Sequence, residues 1–120
     1  MKRAALCAVT AIAIAGTSAA VVDGKTTLAL KADPGGALKF DKKTLRAKPG
    51  KVTIRLTNPS TSGKPHAVEV EGKGKEKESK VVGPGGKASV SLTLKRGTYE
   101  FYCPVGNHEA AGMKGKLIVK

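Results

Sequence analysis

Residues 51–57 read Lys-Val-Thr-Ile-Arg-Leu-Thr, with Val52, Ile54 and Leu56 alternating with Lys51, Thr53, Arg55 and Thr57. An apolar residue at every second position is the signature of a β-strand with one buried and one solvated face. The same period recurs where Ala88, Val90, Leu92 and Leu94 alternate with Ser89, Ser91, Thr93 and Lys95. Further strands are expected at residues 26–31, 37–40, 44–48, 65–71, 98–103 and 113–120. Turn signals separate them: Asp33-Pro34-Gly35-Gly36, Pro49-Gly50, Asn58-Pro59-Ser60, Gly83-Pro84-Gly85-Gly86 and Arg96-Gly97. No stretch has a long helical period, although residues 109–111 have room for a single turn. Residues 72–80 (GKGKEKESK) read as a charged, solvated loop. Seven or eight short strands in about a hundred residues point to an all-β Greek-key sandwich.

The chain has 120 residues, enough for one such domain. Residues 1–20 have the form of an export signal. Lys2 and Arg3 precede a short apolar run, and Thr17-Ser18-Ala19-Ala20 supplies the small residues a signal peptidase requires. The run falls short of the roughly 20 residues that span a bilayer, so no transmembrane anchor is expected. Cys7 opens the apolar run instead of following it, which argues against a lipoprotein signal. The domain proper is then residues 21–120, exported to the periplasm or outside the cell.

Removal of the leader takes Cys7 with it and leaves Cys103 alone. A single thiol in an oxidising compartment is either buried and inert or engaged by a metal. It also leaves 20 basic and 9 acidic residues, a net charge of 20 − 9 = +11. The only aromatic residues are Phe40, Tyr99, Phe101 and Tyr102, so no stacking platform for nucleic acid is evident. The charge fits solubility, an anionic surface or an acidic protein partner.

Strand parity then bears on chemistry. His66 shares a face with Val68 and Val70, and Cys103 shares one with Tyr99 and Phe101; Glu69, Glu71, Glu100 and Tyr102 are expected to point outward. Antiparallel pairing would bring His66, at the start of one strand, and Cys103, at the end of another, to one pole. Residues 102–113 (YCPVGNHEAAGM) place a thiol, an imidazole and a thioether, Cys103, His108 and Met113, at five-residue steps around Pro104, Gly106 and Gly112. Each residue alone has a bland alternative: a surface histidine, or a methionine that fills core space. Together they are more telling, because the chain has only two histidines and, besides the initiator, one methionine. A thiolate, two imidazoles and a thioether are a soft donor set that suits one copper ion with a weak axial Met. Zinc seldom recruits methionine, iron–sulfur clusters need several cysteines, and no C-x-x-C-H motif for haem is present.

Residues 97–103 (GTYEFYC), the loop to His108 and Met113, and the following KGKLIV at 114–119 closely resemble the plastocyanin-like cupredoxins, small blue copper proteins. Upstream, residues 49–54 (PGKVTI), Asn58, Pro65-His66 and residues 35–40 (GGALKF) extend the resemblance over nearly all of residues 21–120. It implies a Greek-key sandwich with a type 1 copper at one pole. His66, Cys103, His108 and Met113 would be its ligands, with Met113 axial, His108 the electron port and Tyr102 a second route. The sequence departs from the family in three places. The gap from Cys103 to His108 is longer than in plant plastocyanins and nearer to azurin-like proteins. Ala67 stands where an Asn commonly braces the cysteine loop. The acidic patch of plant plastocyanins is expected to be missing, so their partners are not carried over.

Four protein ligands leave no obvious position for a substrate, which argues for outer-sphere electron transfer and against an enzyme. The expectation is a monomeric carrier of single electrons between redox partners with acidic docking surfaces, without nucleic acid. A copper storage or delivery module is the alternative. A metal-free adhesion sandwich would leave the Cys, His and Met spacing to coincidence.

Overall fold

The computed structural model describes residues 20–22 and 24–120; apart from Ala20, the expected leader lies outside them. Nine strands follow in order: β1 (Ala20–Val22), β2 (Lys25–Lys31), β3 (Thr44–Ala47), β4 (Gly50–Thr57), β5 (Glu69–Gly72), β6 (Lys75–Glu78), β7 (Lys87–Leu94), β8 (Gly97–Tyr102) and β9 (Lys114–Val119). They form two sheets, ordered β1-β2-β4-β7 and β3-β9-β8-β5-β6. β2 pairs with β4 and β3 with β9 in parallel, and every other pairing is antiparallel. Because β3 lies in the opposite sheet from β2 and β4, the chain crosses between layers in the manner of a Greek-key sandwich.

The alternating residues meet between the layers. Leu28, Leu30, Val52, Ile54, Leu56, Val90 and Leu94 come from the first sheet. Leu45, Val68, Val70, Tyr99, Phe101, Leu117 and Val119 face them from the second, all essentially out of water. Each buried Val, Leu, Ile or Phe contributes about 1.5–3 kcal/mol relative to exposure, so this interface supplies the main driving force. Gly115 sits flat on Phe101, where any Cβ would collide with the ring. That close approach keeps β9 tight against β8, the strand that leads into Cys103.

Three local expectations are corrected. The strand expected from residue 65 begins only at Glu69, which leaves His66 in the preceding connection with an isolated bridge to Val82. Residues 37–40 are not a strand. The Asp33 carboxylate accepts hydrogen bonds from the Gly35 and Ala37 amides and holds a turn, and only Phe40 makes a bridge, to Ala32. Residues 72–80 are not a simple loop either, since β5 and β6 form a hairpin there with Gly72 paired to Lys75. The central turn residues Lys73 and Gly74 have φ of 49° and 77°, the left-handed pair that a tight two-residue hairpin requires. β6 is exposed at all four positions, so it has no apolar period for a sequence reading to detect.

Candidate metal centre

The strand register brings three connections to one pole. The C-terminal end of β4 leads into residues 58–68, β6 leads into residues 79–86, and β8 leads into the loop 103–113. The first two are joined by a bridge in which the His66 amide donates to the Val82 carbonyl at 3.0 Å and the Val82 amide returns a bond at 2.9 Å. His66 is therefore fixed by backbone bonds on both sides.

The third loop is closed by its own backbone. The Cys103 amide donates to the Met113 carbonyl at 3.0 Å, and the Met113 amide donates to the His108 carbonyl at 3.1 Å. The His108 amide donates to the Val105 carbonyl at 3.0 Å. Gly106 and Gly112, with φ of 50° and 113°, allow this tight course. The spacing of the three residues thus folds into linked turns, and Cys103, His108 and Met113 are tied together through main-chain bonds.

The donor atoms converge. His66 Nδ1 lies 3.8 Å and His108 Nδ1 3.4 Å from Cys103 Sγ, and the three atoms lie within 4.8 Å of one another. The two rings are 5.2 Å apart between centroids and tilted by 56°. A metal bonded to N at roughly 2.0 Å and to S at roughly 2.3 Å in a trigonal plane separates the two donors by roughly 3.8 Å. The His66 distance, 3.8 Å, matches that spacing, and the His108 distance, 3.4 Å, is shorter than it. His66, Cys103 and Met113 are fully buried, whereas His108 is half-buried at the surface of the pole.

The surroundings favour neutral donors in the absence of a cation. Burial pushes the Cys103 thiol above its ordinary value, against the opposing pull of the Ala67 and Val105 amides that point at its sulfur. Burial also lowers His66, with further lowering from His108 and Lys64. The His66 Nε2 is buried without a hydrogen-bond partner. Nδ1 is turned to the thiol, the side from which the ring would share a cation with Cys103. The donor set therefore fits a soft cation that converts the thiol to a thiolate.

The Ala67 position, where a side-chain brace was absent from the sequence, is braced by main chain instead. Ala67 is fully buried, and its amide supplies one of the two bonds to sulfur. The side chains that stiffen this pole are elsewhere. The buried Asn58 donates to the Lys64 carbonyl at 2.8 Å and to the Val82 carbonyl at 2.9 Å, and accepts from the Ser62 hydroxyl at 2.5 Å. Ser79, also buried, accepts from the Val68 amide at 3.0 Å. Asn58 thus bonds both to the segment entering His66 and to the residue that bridges it. In the sequence, Asn58 stood as a turn signal before Pro59 and as part of the family resemblance, neither of which shows its hydrogen-bond partners.

The outer face of the second sheet departs from expectation. Register places Glu69 opposite Glu78, and Glu71 opposite both Glu76 and Glu100, with Tyr102 opposite Glu69. Directly opposed like charges are unfavourable, and no ion pair relieves them among the described residues, where Lys42–Asp41 is the one ion pair. Scattered glutamates in sequence thus become neighbours across β5, β6 and β8. The Tyr102 hydroxyl donates to Glu71 at 3.1 Å. Burial, with the Glu69 and Glu71 carboxylates, pushes its own ionisation up.

Glu69, expected to point into solvent, is only 4 % exposed beneath these neighbours. Burial, then the Glu76 and Glu78 carboxyls, raises it from 4.5 to about 7, with the Tyr102 hydroxyl partly opposing. The folded chain keeps this proton where the unfolded chain has released it, so stability falls as pH rises from 4.5 through about 7. Glu69→Gln is expected to flatten that fall and to add on the order of 1–3 kcal/mol at pH 8, read by urea unfolding across pH. An unchanged slope between the two variants contradicts the assignment.

Comparison with known proteins bears on what the pole holds. Residues 26–120 match the family described as copper binding proteins, plastocyanin/azurin family. Among solved structures, auracyanin A, a "blue" copper protein from the green thermophilic photosynthetic bacterium Chloroflexus aurantiacus, is similar. It shares 26 % identity with a TM-score of 0.69, over 81 % of this chain and all of that one (100 %). A dithionite-reduced auracyanin from the photosynthetic bacterium Roseiflexus castenholzii shares 24 % identity with a TM-score of 0.69, covering 78 % of this chain and 96 % of that one. Auracyanin B shares 22 % identity at the same TM-score, 0.69, covering 88 % and 96 %. No match was found among curated proteins.

Proposed function

The chain belongs to the plastocyanin/azurin family of copper-binding proteins, with one type 1 copper ion as its cofactor, and from that premise we propose that it is an exported carrier of single electrons. In this reading His66 Nδ1, Cys103 Sγ and His108 Nδ1 would hold the ion, and the Met113 thioether would be its fourth, weaker donor. The observation that carries it is the convergence of the three donor atoms within 4.8 Å at a pole where two of the three residues are fully buried.

Bound copper supplies a one-electron Cu(I)/Cu(II) couple; the chain supplies the conditions under which that couple is useful. The backbone bonds around His66 and within residues 103–113 hold the donors in place through a change of charge, which keeps reorganisation small. Burial of Cys103 and Met113 keeps water away from the two sulfur donors that would hold the ion. His108 alone reaches the surface, among Pro104, Val105, Gly106, Ala110 and Ala111, and offers its ring edge to a docked partner. With four ligands from the protein, no position is left for a substrate, so the role is that of a carrier and not an enzyme. The leader at residues 1–20 directs export, and the processed protein works as a monomer between redox proteins with acidic docking surfaces.

The experiment is visible absorption and electron paramagnetic resonance of the exported, copper-loaded protein. An intense thiolate-to-copper band and a small copper hyperfine splitting support the reading, and a colourless protein with an ordinary Cu(II) spectrum contradicts it. For the axial ligand, Met113→Leu is expected to keep the colour and raise the reduction potential, because a donor to Cu(II) is lost and the site becomes more apolar. If voltammetry and spectrum are both unchanged, Met113 is not the axial ligand.

A further inference from the structure

The pole opposite the ligand loop is formed by four turns. Gly50 pairs with Leu94, the Lys51 amide donates to the Gly24 carbonyl at 2.9 Å, and Gly97 pairs with Val119. These contacts place the turns into β2, β4, β6 and β8 side by side, at the far end of the sandwich from His66 and Cys103. Three of them carry paired cations: Lys48 and Lys51, Lys73 and Lys75, Lys95 and Arg96, all exposed. Lys73 folds over Gly97 and so links two of these turns. Lys25 and Lys120 extend the cap at its rim. Among the described residues of these turns there is no Asp or Glu side chain; the sequence adds only Asp23, before Gly24. None of these cations is in the one ion pair of the described residues.

A cavity of about 470 Å³ opens at the flank of the same pole, where the edge of β6 approaches the edge of β7. Lys51, Lys75 and Lys77 line it with the hydroxyl-bearing Ser91 and Thr93, and Glu76 is its one carboxylate. Ammonium and hydroxyl donors around a concave opening suit a phosphate ester.

We propose that this pole docks on an anionic phospholipid surface, with the groove seating a headgroup phosphate, so that the ligand pole faces away from the membrane. The cap has the composition of a lipid-facing surface. Polybasic segments are drawn to anionic leaflets and gain with each added cation. A protein partner would call for apolar anchors at the centre of the contact, yet the one exposed large hydrophobic among the described residues, Val81, lies in the connection next to Val82 at the opposite pole. Single-stranded nucleic acid would call for aromatic side chains to stack on, and these turns have none. The arrangement divides the molecule: one end holds it at a surface, and the other presents His108. The proposal rests on the export reading but not on the copper chemistry.

The test is sedimentation of the exported, copper-loaded protein with vesicles of phosphatidylcholine alone or mixed with phosphatidylglycerol. The wild type is expected to bind only the mixed vesicles, and to be released as salt rises through the range in which surface charges are screened. Lys73→Glu/Lys95→Glu/Arg96→Glu is compared with Lys39→Glu/Lys43→Glu/Lys87→Glu, which changes net charge equally among exposed lysines nearer the ligand pole. The first variant is expected to lose on the order of a hundredfold in vesicle affinity and the second far less. Should the reversal impair folding, Lys95→Gln/Arg96→Gln is expected to give an intermediate loss. No binding of the wild type to the mixed vesicles overturns the proposal, as does an equal loss in both variants. Displacement by millimolar inorganic phosphate at constant ionic strength overturns it in favour of a soluble anion. Because sedimentation does not depend on colour or redox activity, failure here is separable from failure of the electron-carrier reading.

Discussion

Cys103→Ser is expected to remove the intense visible band and enlarge the copper hyperfine splitting, and to weaken copper binding by more than the roughly 10–100-fold that loss of an outer partner costs. Cys103 Sγ stands between the two imidazoles, at 3.8 Å from one Nδ1 and 3.4 Å from the other. It is also the only thiol among the described residues. An alcohol at this position has neither the softness nor the low ionisation cost that a thiolate has beside copper. The fold should survive, since Ser replaces Cys with little change in volume and the Ala67 and Val105 amides keep an acceptor. Absorption, paramagnetic resonance and copper titration of the variant check this. A variant that stays coloured and holds copper as tightly as the wild type would remove Cys103 from the centre.

Asn58→Ala is expected to cost on the order of 2–4 kcal/mol and to lower Tm by roughly 10–25 °C in a domain of this size. The substitution strips a donor from each of two carbonyls, Lys64 and Val82, and leaves the Ser62 hydroxyl only its longer bond, to the Lys64 carbonyl at 3.2 Å. Asn58 is fully buried, so water cannot easily replace these bonds. The effect should also reach the metal pole, because Val82 pairs with the backbone of His66 on both sides. A shift in reduction potential alongside the loss of stability distinguishes this positioning role from simple destabilisation. Calorimetry and voltammetry of the copper-loaded variant read both, and a Tm within about 3 °C of wild type contradicts the network.

The same contrast separates what was legible in the sequence from what was not. β4 and β7 were legible because each buries alternate residues against the opposite sheet, so their burial is written as a period of two. The metal-binding loop was legible because chemistry restricts its residues: a soft donor set needs Cys, His and Met, and the chain has few of each. β6 was not, since a strand exposed at every position leaves no apolar pattern. The acidic stripe was hidden for a different reason. Glu69, Glu71, Glu76, Glu78 and Glu100 lie on three strands, and only the register makes them neighbours. The burial of Glu69 follows from the same pairing, as Tyr102 and β6 cover a face that parity alone assigns to solvent. Asn58 was legible as a turn residue but not as a hub, because its hydrogen-bond partners at 64 and 82 are set by tertiary folding.

The ligand pole holds its donors by backbone bonds, with His66, Cys103 and Met113 buried. A copper-delivery protein would need this pole to open when the metal is reduced. The bonds that join Cys103 to Met113 and Met113 to His108 oppose such opening.

The most direct measurement is repeated redox cycling of the copper-loaded protein at an electrode in the presence of a Cu(I) chelator. The account predicts a reversible one-electron wave of constant amplitude, with copper retained through every cycle. Loss of Cu(I) to the chelator on the first reduction, with collapse of the wave, would contradict it and make the protein a donor of copper in place of a carrier of electrons.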